Sequence, residues 1–205
     1  MVPAAAPLAV VACGALAADV RIAAAGLGRP VEVHSLSALL HNRPSEIAPR
    51  VEELARRLRA EAKTVLVAYA DCGTYGALDE VCGRLGLERL PGLHCYDILA
   101  GERGVSSLME EEPGTYLLTD FLLRSFRRLV IAELGLDRHP ELVVDYFGNY
   151  RRIVWLTTSA GEELLDEARF VAQFLRLDLV VRKVPGSRVG DALVSLIRKK
   201  DQVLA

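Results

Sequence analysis

Three cysteines carry the chemistry this sequence offers. Cys13 follows the apolar run LAVVA (8–12) and precedes Gly14; Cys72 follows TVLVAYA (64–70) and Asp71 and precedes Gly73. Cys95 lies in GLHCYD, beside His94 and just after Pro91 and Gly92. Thiolates are soft ligands, so three of them suit zinc, copper(I) or an iron–sulfur cluster. A structural zinc site closes with a fourth protein ligand, whereas a catalytic one keeps a position open. A [4Fe–4S] cluster takes four cysteines when fully ligated, so three would leave one iron free for a substrate. The spacing is long and sets no ligand pair locally, so only the fold can bring these sulfurs together. Glycine after each of the first two permits a positive φ and a close approach of a ligand to the backbone.

Further residues complete the constellation. His41, in Leu-His-Asn-Arg-Pro (40–44), is the best nitrogen donor, with a surface or capping role as the alternative. His94 abuts Cys95. Asp71 and Asp97 flank two of the cysteines and could orient ligands or move protons. Thr74 and Tyr75 follow Cys72 and could hydrogen-bond a sulfur or a substrate oxygen. Thr115 and Tyr116 read as the opening of a long helix whose free N–H groups would favour an anionic cofactor or substrate; the alternative is a simple Thr115 N-cap. Cys82 differs, because Leu78, Val81 and Leu85 place it on the apolar face of a helix, where cysteine acts as a small buried hydrophobe. His34 sits within a strand pattern and His139 at a helix start. Tyr146, Phe147 and Tyr150 read as packing residues of the second half, with a lid as the alternative.

The elements that must position these side chains alternate between short apolar runs and helical periodicity, the pattern of a parallel α/β protein. Strands are expected at 8–12, 31–36, 64–70, within 87–99, at 153–158 and at 177–183. Helices are expected at 16–25, 47–62, 76–85, 115–134, 162–175 and 189–199. In the second of these, Ile47, Val51, Leu54, Leu58 and Ala62 recur at helical spacing. The expectation is one α/β domain over 1–205, a mostly parallel sheet flanked by helices in two Rossmann-like halves, with a half boundary near 136–152. Open parallel sheets bind ligands outside the carboxyl ends of their strands, where Cys13 and Cys72 fall.

Composition narrows the function. Of 205 residues, 51% are hydrophobic and 25% charged, enough for a core without disulfide staples. A formal net charge of -2 leaves no electrostatic footprint for nucleic acid. No apolar run is long enough to span a bilayer. Val10-Val11-Ala12-Cys13 also reads as a lipoprotein box, but no Lys or Arg precedes Arg21, and an export signal needs a basic start. The expectation is therefore a cytoplasmic protein without a membrane partner. No glycine loop of the phosphate-binding kind is present; GLGRP (26–30) precedes a strand and opens no helix. Metal-free thiol redox chemistry is a further possibility, weakened by the lack of a Cys-x-x-Cys pair.

Taken in order, ACGAL, LHNRP, YADCG, HCYDILAGER and EEPGTYLLTDF resemble the domain-of-unknown-function 1638 family, whose members carry a strand ending in cysteine, a Leu-His-Asn-x-Pro segment and a Tyr-Gly-x-Cys-Gly loop. Ala70 departs from that loop, and the direct junction of His94 with Cys95 departs from the His-Asp-Cys-like loop that follows it in the family. The resemblance implies an α/β protein in which Cys13, Cys72 and Cys95 converge on a metal such as zinc or on a [4Fe–4S] cluster. It also implies a setting in one-carbon or methyl metabolism, with a small-molecule substrate and a corrinoid or methyltransferase protein as partner. The readings it leaves are a metalloenzyme and a non-catalytic metal or cofactor carrier or sensor.

Overall fold

A computed structural model describes residues 7–61, 63–186 and 188–204. Ala62, the last position expected in the second helix, and residues 1–6 before the first strand lie outside the described residues. The chain divides into two compact units, one built from Met1–Ile98 with Ser187–Ala205 and the other from Leu99–Gly186. The stretch 136–152 lies inside the second unit.

In the first unit, strands β1 (Leu8–Cys13), β2 (Val31–Leu36) and β3 (Thr64–Ala68) form a parallel sheet in the order β2-β1-β3. β1 is buried along its whole length, as a central strand covered on both faces requires. Helix α1 (Ala17–Ala25) connects β1 to β2, and α2 (Ile47–Ala60) connects β2 to β3. Ile47, Val51, Leu54 and Leu58 are the buried stripe of α2, as their spacing predicts. Because β2 and β3 lie on opposite sides of β1, the strand order reverses there, which makes the carboxyl end of β1 a topological switch point. Helix α3 (Ala77–Leu85) follows β3 and ends at Gly86, in the left-handed conformation with φ 58°. The strand expected within 87–99 is reduced to one parallel bridge between Val67 and Arg89. Pro91 and Gly92 end it, and the short helix α4 (Cys95–Ala100) takes over.

The second unit holds α5 (Glu102–Glu111), then β4 (Thr115–Thr119), α6 (Asp120–Phe126), α7 (Val143–Phe147), β5 (Arg152–Thr157), α8 (Glu162–Leu175) and β6 (Asp178–Lys183). Its sheet is parallel, in the order β4-β5-β6. The core gathers around Trp155, Leu118, Leu123 and Phe126, with Trp155 Nε1 donating to Asp120 Oδ1 at 2.7 Å. Thr115 to Thr119 form a strand where a helix start is expected from the sequence. Thr119 is the true N-cap, its Oγ1 accepting from the Leu122 amide at 3.2 Å. Beyond α6 the backbone widens into a π-helical segment at Arg127–Ala132. The final helix, α9 (Arg188–Leu204), belongs to the first unit and packs on α1 and β3. Among the described residues no helix is long and apolar enough to cross a membrane.

Candidate metal centre

Three loops meet at the switch point, each held by close backbone packing. The first is the turn after β1. A Cβ on Gly14 would lie 2.6 Å from the Leu36 carbonyl oxygen and 2.8 Å from the Ala38 nitrogen. Glycine is needed there because backbone meets backbone. The contact seats the β1 turn on the 3₁₀ segment Ala38–Asn42, which carries His41.

His41 is oriented by that segment. Its Nδ1 lies 2.9 Å from the Ala38 carbonyl oxygen. A carbonyl only accepts, so Nδ1 carries the proton, and in the neutral ring Nε2 is left with a free lone pair. Nε2 faces Cys13 Sγ at 3.6 Å.

The second loop, Asp71 to Gly76, is backbone under tension. Cys72 has φ 52° and Tyr75 φ 51°, both in the left-handed region, with Gly73 at 82° and Gly76 at 91° between and after them. Such conformations are costly for residues with side chains and persist where the surroundings enforce them. Asp71 does much of the enforcing: Oδ1 accepts from Thr74 Oγ1 at 2.6 Å and from the Gly76 amide at 3.0 Å, while Oδ2 accepts from the Tyr75 amide at 3.0 Å. Burial pushes the Asp71 carboxyl up, but these donors and the nearby Arg89 outweigh it and hold the group below the usual range. With both oxygens committed, Asp71 is a positioning residue. Gly73 rests on Pro44, whose Cβ and Cγ stand 3.5 Å from the position of an added Cβ, so the His41 segment and the Cys72 loop support each other.

The third loop carries Cys95. The Asp71 amide donates to the Gly92 carbonyl at 3.1 Å and the Cys72 amide to the Leu93 carbonyl at 2.7 Å. Arg89 braces the approach by pairing with both Asp79 oxygens, at 2.6 and 2.9 Å, and donating to the Leu90 carbonyl at 2.7 Å. Asp97 Oδ2 accepts from the Leu93 and His94 amides at 2.8 and 2.9 Å and so starts α4 at Cys95.

The sulfurs of Cys13, Cys72 and Cys95 are thereby electrostatic neighbours. Burial pushes the Cys13 thiol up to about 12, and the Cys72 charge adds to it, while the amides of Ala15 and Leu16 act the other way. Cys72 is pushed up to about 11, again chiefly by burial and against the Cys95 and Ala70 backbone amides. Cys95 is raised well above its ordinary value by burial, then by Cys13 and Cys72. All four cysteines are free. Cys82 is buried on α3, where the helical pattern puts it.

A soft metal can be tested against this donor set. Three thiols, an imidazole whose Nε2 accepts the Cys13 thiol proton and would bind a metal once that proton leaves, and backbone amides directed at sulfur are the right groups for a thiophilic ion. Among the described residues, however, no three His, Cys, Asp or Glu side chains stand close enough together to hold an ion as they are. The donors fit in kind; ligation requires the side chains to close on the ion.

The other expected site residues fall elsewhere. Tyr75 is 97% exposed, and the contact it makes in the loop is through its amide, which donates to Asp71 Oδ2. His94 is exposed at the surface, with its amide tied to Asp97. Thr115 and Tyr116 belong to the second unit, so the anion-binding helix start expected there does not form. Thr115 Oγ1 instead donates to the Glu112 carbonyl at 2.6 Å and accepts from Arg152 Nε at 2.9 Å. Tyr116 packs edge-on against Phe147 and Tyr150, with ring centroids 5.3 and 5.2 Å apart. Sequence reasoning missed Tyr69. It is fully buried just after β3, and among the described residues its hydroxyl is the one buried side-chain N or O atom without a hydrogen-bond partner.

A family model described as "Protein of unknown function (DUF1638)" matches residues 35–192. The chain belongs to the DUF1638 family. The DUF1638 match takes in His41, Tyr69, Cys72 and Cys95, whereas β1 and Cys13 precede it. No curated protein and no solved structure matches the chain.

Proposed function

We propose that this DUF1638 protein is a metalloprotein that holds a thiophilic metal ion, zinc in the first instance, through Cys13, Cys72, Cys95 and His41. In this reading it is an enzyme acting on a small substrate at the carboxyl ends of β1 and β3. The observation that carries the reading is the Cys13–His41 pair: an imidazole whose Nδ1 is tied to a carbonyl and whose Nε2 faces a buried thiol at 3.6 Å. That arrangement is how ligating histidines are fixed in orientation and tautomer. His41 is the exchangeable ligand, because it is half-buried while the three thiols are buried. Were a metal held there, His41 would be the ligand whose departure leaves a position for substrate. Zinc bound in this way supplies Lewis acidity, activating a thiol or water. Asp71 holds the strained loop that presents Cys72.

Burial keeps the thiols protonated at neutral pH, so binding must expel protons and strengthens as pH rises. The same burial argues against metal-free thiol exchange, which needs an accessible thiolate. One-carbon or methyl chemistry, a corrinoid or methyltransferase partner and a reducing, cytoplasmic setting follow from the family resemblance and belong to the proposal. A [4Fe–4S] cluster on the same three cysteines is the alternative occupant.

Anaerobic purification followed by elemental analysis and visible spectroscopy tests the reading. One equivalent of zinc is expected, and Cys13→Ala, Cys72→Ala and Cys95→Ala each lose it while Cys82→Ala keeps it. Broad visible absorbance that bleaches on reduction would assign the site to a cluster. Equal metal retention in all four variants, or none in the wild type, removes the proposal.

A further inference from the structure

Among the described residues the site leaves one buried polar group unused, the Tyr69 hydroxyl. Buried hydroxyls nearly always find a partner, and each exception calls for an explanation. Tyr69 lies at the end of an otherwise apolar run, fully enclosed, with no partner for its Oη. β1 and β3 run in parallel register with Ala12 opposite Ala68, so Cys13 and Tyr69 are the next residues on neighbouring strands at the switch point. Burial raises the Tyr69 hydroxyl far above its usual range, and the titratable thiols of Cys13 and Cys72 add to the rise. By register, Tyr69 thus stands beside Cys13 at the carboxyl ends of β1 and β3, and the loop that follows it is bonded through Asp71 and Cys72 to the loop of Cys95.

We infer that Tyr69 is a positioning residue of the metal centre, its hydroxyl held in reserve as the hydrogen-bond donor to the sulfur-ligated group. The inference rests on the metal reading above and adds a residue and a role to it. A metal-bound thiolate is a far better acceptor than a neutral thiol, so a donor without a partner in the metal-free protein gains one when the site is filled. Phenylalanine would pack the same ring and leave that acceptor unserved. In the metal-free protein it would remove a buried group that lacks a partner, which is neutral or favourable to stability.

Cobalt(II), which reports thiolate ligation by its charge-transfer absorption, is the probe. Wild type and Tyr69→Phe are titrated with cobalt under anaerobic conditions, and the metal-free proteins are compared by thermal unfolding. The expected result is a fall in cobalt affinity of about 10- to 100-fold, the usual effect of losing an outer partner of a metal ligand. It comes with a shifted charge-transfer band and a metal-free Tm equal to or above that of the wild type. Unchanged affinity and band overturn the inference and leave the metal reading standing. A lowered metal-free Tm also overturns it, since the hydroxyl then has a partner without metal. A wild type that binds no cobalt overturns the metal reading, and this inference with it.

Discussion

The two units build the same kind of sheet, three parallel strands with helical connections, and differ in strand order. In the first, β1 is both the opening strand and the central one, so the chain leaves it to one side and later to the other. In the second, β4, β5 and β6 follow in sequence, and no reversal occurs. The strand ends differ accordingly. The hydroxyls at the β4 and β5 ends are used locally: Thr119 caps α6, and Thr157 Oγ1 accepts from the Ser159 amide at 3.2 Å. At the ends of β1 and β3 stand buried thiols, a tyrosine hydroxyl without a partner and a loop with two non-glycine residues at positive φ. Strain and unmet hydrogen-bonding capacity gather where the topology opens a crevice; in the second unit the non-glycine residue at positive φ among the described residues is Arg176, the C-cap of α8, and not a residue at a carboxyl strand end. Under the function proposed above, the chemistry falls to the first unit and the second serves as scaffold.

That division can be broken by experiment. The largest expected effect is on the scaffold side. Trp155→Ala empties the second core and should cost about 3–5 kcal/mol in denaturant unfolding, with metal affinity under native conditions unchanged. An affinity loss as severe as that of Cys72→Ala would refute the division of labour. Gly14→Ala comes next. Its methyl would press on the Leu36 and Ala38 backbone, so a loss of about 1–3 kcal/mol is expected, as for overpacking generally. Weaker metal binding should accompany it, because the same contact seats His41; stability lost with affinity intact would detach His41 from the site.

The smallest effect is local and compares the strand ends directly. The Asp71 carboxyl titrates below its unfolded value, so its stabilisation is complete above the unfolded range and is lost as pH falls through the lowered folded value. The Thr119 and Thr157 caps have no such dependence. On acidification, the Tyr75 and Gly76 amides should lose hydrogen-exchange protection before those of Leu122 and Ser159. Simultaneous loss would mean that Asp71 is no special fastening.

Much of this was legible in the chain. β1 and β3 are uninterrupted apolar runs, α2 and α8 have clear helical stripes, and Cys82 was separable from the other cysteines by its spacing alone. Thr115 to Thr119 were not legible, because TYLLTDFLLRSF satisfies a helical pattern as well as a strand followed by a helix. The arbiters were long-range: the register of Tyr116 with Ile153 and the cap from Thr119. The strand expected within 87–99 failed for a similar reason, since the Leu93 carbonyl is taken by Cys72 across a loop. The nearness of His41 to Cys13 depends on a glycine admitting backbone, and a motif shows the glycine without showing what it admits. Tyr69 looked like one more β-former; only the packed structure reveals that nothing answers its hydroxyl.

The route of the chain through the two units sets an order of assembly. α9, which packs on α1 and β3, is synthesised after the three cysteines and after the whole of the second unit. Domains fold as units during synthesis. The inserted unit can therefore be complete while the sheet that frames the sulfurs still awaits its covering helix. During that interval the nascent thiols are less protected than in the finished fold.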